Sequence, residues 1–195
     1  WGVVGSGDGG RLDGGTEWGQ FKSPAVRAVE WASFREKSLV VVLSPTARQS
    51  AECLRKAADF VKVLGIDPRG DGDNAISLVF PNGSRIVGLP GTEGTVRGFS
   101  KVSLMIIDEA ARVADALFYA VQPMTAVGDG DLWLMSTPYG RRGFYWTEWN
   151  RPDRWMRVSV PATECSRLSA KHLEHVRESM PDSWFRQEYM CEFGD

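Results

Sequence analysis

Val102-Ser103-Leu104-Met105-Ile106-Ile107-Asp108-Glu109 is an apolar run closed by two adjacent acids. A run this poor in polar residues reads as a strand buried on both faces, and such strands belong to parallel sheets with helices on each side. The acids then fall at the strand's carboxyl end, the edge of an open α/β sheet where ligands bind. Two carboxylates there suit a magnesium ion and a water molecule better than a core. An acidic turn that only solubilises a strand end gives the same short pattern, so neighbouring segments must decide.

Upstream, the spacing of Val26, Val29, Ala32 and Ser33 predicts a helix from about Ser23 to Arg35, with Pro24 in its first turn. Leu39-Val40-Val41-Val42-Leu43 reads as a buried strand. It enters a turn at Ser44-Pro45-Thr46 and then a helix to Leu64 with the stripe Leu54, Ala57, Ala58, Val61 and Leu64, stopped by Gly65. After a glycine- and aspartate-rich loop, Ile66 to Asn74, residues Ile76 to Phe80 and Arg85 to Leu89 form a hairpin around Pro81-Asn82-Gly83-Ser84. Downstream of Glu109 the pattern gives a helix of about Ala114 to Val121 and a buried strand Leu132 to Ser136, which runs into Thr137-Pro138-Tyr139-Gly140. A helix over Gly143 to Asn150, a strand over Trp155 to Val160, and helices near Ala170 to Ser179 and Ser183 to Met190 complete the chain. Alternating strands and helices predict an α/β fold, a mainly parallel sheet flanked by helices, with the hairpin as an insertion.

The 195 residues, 43% of them hydrophobic, suffice for one ordinary domain with a full core. A net charge of −2 excludes a globally basic nucleic-acid binder and leaves only local clusters such as Arg141, Arg142, Arg151, Arg154 and Arg157. Cys53, Cys165 and Cys191 are odd in number and lack C-x-x-C spacing, so no disulfide framework or zinc site is indicated and a reducing compartment fits. No apolar run has the length of a membrane span, and the start lacks a basic-then-hydrophobic leader, so the chain reads as soluble and cytoplasmic. His172 and His175 share a helix face without a third ligand and read as surface residues; Trp184, Phe185, Tyr189 and Phe193 read as core aromatics. Residues 1–21 are expected to be irregular. Eight of the 21 glycines fall between Trp1 and Gly19, and nothing there resembles a core strand.

Taken together, Ser44-Pro45-Thr46-Ala47-Arg48-Gln49-Ser50, the segment from Asn82 through Leu89-Pro90-Gly91 to Val96-Arg97-Gly98-Phe99, Ile107-Asp108-Glu109-Ala110 and Leu134-Met135-Ser136-Thr137-Pro138-Tyr139-Gly140 resemble the ATPase domain of the large terminase subunit of tailed bacteriophages. The resemblance covers residues 22–195, and the order and spacing of the segments make it specific. It implies a P-loop NTPase of the ASCE type, with Asp108-Glu109 as the Walker B pair. It further implies a motor that couples ATP hydrolysis to translocation of double-stranded DNA into a capsid in the host cytoplasm. The implied partners are DNA, a portal protein, a small terminase subunit and further copies of the chain in a ring.

The same resemblance assigns roles. Lys22 would neutralise the β- and γ-phosphates of ATP, Ser23 and Asp108 would hold Mg2+, and Glu109 would orient the attacking water. Ser136 and Thr137 would sense the γ-phosphate, and Arg97 would act on the ATP of a neighbouring subunit. For the hydroxyls, helix capping stays open as the alternative. For Arg97, pairing with Glu93 or contacting DNA stays open. The pattern departs from the family at Phe21, which stands where the phosphate loop has glycine before Lys22-Ser23 and would crowd an approach that needs bare backbone. The strand expected before that loop is not legible in the sequence. Asp195 falls about where the family's nuclease domain would start, so no nuclease activity is expected of this chain. A nucleotide-free module of the same fold, or a helicase-like P-loop protein, are the other functional readings.

Overall fold

Side chains of the central strands alternate cleanly between two cores. Val41 and Leu43, Met105 and Ile107, and Leu132 and Leu134 face one cluster. Val40 and Val42, Leu104 and Ile106, and Met135 face the other. That is the pattern of strands covered on both sides, which the apolar runs predicted. The computed structural model of the chain describes residues 2–6, 24–66, 77–91, 98–166 and 168–194.

Among the described residues the strands are β1 (Gly2–Ser6), β2 (Leu39–Ser44), β3 (Ser77–Val79), β4 (Arg85–Pro90), β5 (Leu104–Asp108), β6 (Asp131–Ser136) and β7 (Met156–Ser159). They form one sheet in the order β3-β4-β2-β5-β6-β1-β7. The pairs β4/β2, β2/β5 and β5/β6 are parallel, and β3 is antiparallel to β4, as the hairpin reading required. Helices α1 (Pro24–Phe34) and α2 (Ala47–Val63) cover one face. Helices α3 (Asp115–Ala126) and α4 (Gly143–Trp149) cover the other, where Phe118 and Phe144 stack at 4.1 Å. Helices α5 (Ala170–Ser179) and α6 (Asp182–Met190) follow β7.

Local chemistry fixes the boundaries. Thr46 caps α2 by accepting the Gln49 N–H at 3.3 Å, and Gly65 (φ 69°) stands just beyond the helix. Gly130 turns the chain into β6 so close to Val102 that an added Cβ would lie 1.9 Å from that residue's carbonyl oxygen. Buried Glu148 accepts from the Trp155 indole at 2.6 Å and from Arg151 at 3.0 Å, which ties α4 to the approach of β7.

Three expectations need correction. The start of the chain is not wholly irregular, because Gly2–Ser6 is a strand between β6 and β7. It runs antiparallel to both, with Gly2 beside Ser136 and Ser6 beside Leu132. The physical reason is that β6 and β7 present facing rows of backbone donors and acceptors, which an extended segment of either polarity can satisfy. Second, α3 does not stop at Val121 but continues through Pro123 to Ala126, since burial of Met124 and Thr125 outweighs the local cost of proline. Third, of the aromatics near the C-terminus only Phe185 is fully buried. Tyr189 stacks on it and Phe193 packs on Tyr145, Trp146 and Trp149, but Trp184 is 60% exposed. His172 and His175 are exposed as expected, and no cluster of three metal-ligating side chains occurs among the described residues. The loop expected from Ile66 to Asn74 lies outside the described residues from residue 67 onward. Among the described residues no helix is long and apolar enough to cross a membrane.

Candidate functional site

Parallel β4, β2, β5 and β6 end together, and Asp108 is the last residue of β5. Glu109 follows in the left-handed region (φ 51°, ψ 42°), a conformation rarely taken by a non-glycine residue, and opens a short 3-10 turn over Ala110–Arg112. Strain of that kind persists only where surroundings hold it. Here the Glu109 N–H donates to Asp108 Oδ1 at 3.2 Å, the Arg112 N–H donates to the Glu109 carbonyl at 2.8 Å, and the Ala111 N–H donates to Ser136 Oγ at 3.1 Å.

Ser136 is fully buried, and its hydroxyl donates in turn to the Thr137 carbonyl at 2.7 Å. Its side chain therefore joins the end of β6 to the turn that presents Glu109. It caps that turn from a neighbouring strand, a version of the capping alternative that the sequence left open. Thr137 is also buried.

Arg112 gathers residues that are far apart in the chain. Its Nε lies 3.9 Å from Glu109 Oε2, its Nη2 donates to Glu188 of α6 at 3.2 Å, and its guanidinium carbon sits 4.4 Å from the centre of the Tyr139 ring. Arg142 approaches the same ring at 5.2 Å. The turn after β5, the loop after β6 and helix α6 thus meet at one cation. The sequence offered Tyr139 only as part of a motif and did not single out Arg112, although a cation three residues after Glu109 in a turn was a usable signal.

Asp108 forms the base of a cleft of about 340 Å³. Its walls are Pro24 and Ala25 at the start of α1, and Arg48, Gln49, Glu52, Cys53 and Lys56 of α2. Burial, reinforced by the adjacent Glu109 charge, pushes the Asp108 carboxyl up to about 6 against the opposing effects of the Glu109 N–H and Lys56. Glu109 is also raised, first by burial and further by Glu188, with Arg112 opposing. The Cys53 thiol, buried and facing Asp108, is pushed up to about 12 and stays protonated. An under-compensated carboxylate at the base of a cleft is a fit for a cation. Magnesium takes one or two carboxylates and completes its shell with phosphate oxygens and water, so Asp108 with a hydroxyl suffices. Lys22, Ser23, Phe21 and Arg97 lie outside the described residues. In sequence, Lys22-Ser23 directly precede Pro24 on the cleft wall.

Among solved structures, the chain is similar to the large terminase ATPase domain of Thermus phage P74-26, at 20% identity and a TM-score of 0.70, with 87% of this chain and 82% of that one covered. It is also similar to the large terminase of a second thermophilic bacteriophage in complex with ATP-gamma-S, at 13% identity and a TM-score of 0.72, with 87% of this chain and 43% of that one covered. The same thermophilic-phage terminase in complex with ADP matches at 14% identity and a TM-score of 0.70, with 85% and 43% covered. The chain therefore spans less than half of that second terminase. No family model matches the sequence, and no curated protein matches it. At these identities the likeness establishes the fold: the chain has the architecture of a large-terminase ATPase domain.

Proposed function

We propose that the chain is the ATP-hydrolysing motor domain of a DNA-packaging terminase, coupling hydrolysis to translocation of double-stranded DNA. The observation that carries this reading is the Asp108-Glu109 pair at the carboxyl edge, with Asp108 at the base of a cleft that opens at the start of α1. It is supported by a fold shared with terminases held with ADP and ATP-gamma-S.

Phosphoryl transfer needs positioning and charge neutralisation more than covalent chemistry. Lys22 would contact the β- and γ-phosphates, and Ser23 with Asp108 would hold Mg2+, which offsets phosphate charge when bound. Glu109 is held with its carboxylate half-buried and its backbone fixed, and it would orient the attacking water and accept its proton. Loss of the γ-phosphate would be felt at the Glu109 turn. From there the Ala111–Ser136 hydrogen bond leads to β6, and Arg112 leads to Tyr139 and α6. Thr137, next to Ser136, would share in that response. Arg97 would serve the adjacent subunit of a ring, with the portal and small subunit as further partners.

Two observations favour a second reading, a nucleotide-free assembly module. Strand β1 runs opposite to β6, so its carboxyl end lies at the edge away from Asp108, and Phe21 stands in the glycine position before Lys22. Equilibrium binding of a fluorescent ATP analogue, with and without magnesium, separates the two. The motor reading expects magnesium-dependent binding; absence of binding at any magnesium concentration refutes it.

A further inference from the structure

The cleft above Asp108 has two walls of different character. The wall made by α1 offers no described charge, since α1 has no acid in its first turn and its lining residues are Pro24 and Ala25. The wall made by α2 carries all the described cations of the cleft, Arg48 and Lys56, with Glu52 between them. Gln49, Glu52, Cys53 and Lys56 follow the i, i+3, i+4, i+7 spacing of one helix face, so the charges are presented by a rigid element and not by a loop. Lys56 Nζ lies 4.0 Å from Glu52 Oε1, a loose pair, and Glu52 also binds Arg55. Lys56 lines the cleft together with Asp108 and Cys53, so its side chain stands on the cleft side of the helix.

We propose that Lys56, assisted by Arg48, is a phosphate-binding residue of this site and takes the terminal phosphate of a nucleoside triphosphate. The inference rests on the ATPase reading and adds to it a wall that no sequence motif marks. Geometry argues for the terminal phosphate. Helix α1 packs over β2 and β5 while α2 packs over β4 and β2, so the two walls stand on opposite sides of the cleft. Phosphates gripped where the chain enters α1 leave the far end of the triphosphate facing α2. Charge argues the same way. Arg48 and Lys56 face Asp108 and Glu52 in the cleft, so a triphosphate arriving with magnesium meets two cations, of which Lys56 is held only loosely by Glu52.

The test is titration of the chain with N-methylanthraniloyl-ATP and its diphosphate counterpart in the presence of magnesium. Lys56→Gln and Arg48→Gln are each expected to weaken triphosphate binding about tenfold, as befits a partly exposed charge-assisted contact, and to change diphosphate binding by less than about twofold. Lys56→Arg should retain most of the affinity. Lys62→Gln, on the same helix but paired with Asp59 away from the cleft, should change nothing. Circular dichroism melts establish that each variant is folded. If the unaltered chain binds the triphosphate and both glutamine variants bind it within about twofold as well, α2 is removed from the site while the ATPase reading stands. Equal losses for triphosphate and diphosphate overturn the assignment to the terminal phosphate. No binding by the unaltered chain, with or without magnesium, removes the ATPase reading and this inference together.

Discussion

Replacing Ser136 by alanine tests whether β6 and the Glu109 turn are one mechanical unit. The hydroxyl is fully buried, accepts the Ala111 N–H at 3.1 Å and donates to the Thr137 carbonyl at 2.7 Å. Ser136→Ala leaves little void, so cavity cost is small, and the loss comes from an N–H and a carbonyl deprived of their partner. One unsatisfied group of this kind costs about 1–3 kcal/mol, and the carbonyl, with its second lone pair, adds less. A total of about 2 kcal/mol follows, equivalent to a fall of roughly 4–8 °C in melting temperature for a domain of this size. Urea unfolding followed by circular dichroism measures it directly, with an unchanged m-value showing that the loss is in the native state. Hydrogen exchange supplies the local readout: the Ala111 amide should lose protection by at least the global change. A destabilisation under about 0.5 kcal/mol with Ala111 protection intact would refute the argument that this hydroxyl holds the turn.

Glu109→Gln should leave nucleotide affinity within about twofold and lower steady-state ATP turnover by roughly two to four orders of magnitude, because the amide cannot accept the proton of the attacking water. An unchanged rate removes Glu109 from that role. Asp108→Asn should stabilise the chain at neutral pH in the absence of nucleotide. The native carboxyl titrates at about 6 against an ordinary value of 3.8, so the folded state holds a proton that the unfolded state has released, and wild-type stability falls as pH rises through that window. Asparagine keeps an acceptor for the Glu109 N–H and removes the buried charge, a gain of on the order of 2–3 kcal/mol at pH 7 that vanishes near pH 4. Melting curves at the two pH values check the sign, and equal stability at pH 7 contradicts it. Gly130→Ala should destabilise the domain by more than about 3 kcal/mol or prevent folding, since the new Cβ would sit 1.9 Å from a backbone oxygen. A soluble variant with wild-type melting temperature would show that the loop moves freely.

How much of this was written in the chain depends on the range of the interaction concerned. The apolar run up to Ile107 and the valines of β2 predict buried strands because burial on both faces demands uninterrupted apolar residues, a purely local requirement. Thr46 before α2 and Gly65 after it mark that helix by capping chemistry that acts within one turn. Asp108 and Glu109 were legible as a candidate site for the same reason, since two acids ending such a strand have few structural uses.

The rest was decided by contacts between distant segments. That Gly2–Ser6 fills the slot between β6 and β7, with reversed polarity, depends on which hydrogen-bonding edges the folded sheet leaves open, and a glycine-rich sequence carries little pattern of its own. Trp184 shares a helix with Phe185, yet one is exposed and the other buried, because the packing partners of α6 lie elsewhere in the chain. Ser136 reads in sequence as one more small polar residue at a strand end, and only the parallel pairing of β5 with β6 brings its hydroxyl to the Ala111 amide. Arg112 and Glu188 are 76 positions apart, and nothing in either neighbourhood specifies the other. The sequence by itself determined the elements, their alternation and the acidic pair, because those follow from propensity and burial within a few residues. The tertiary structure alone decided which side chains share the cleft and which hold Glu109 in its strained conformation, because those depend on the order of strands in the sheet.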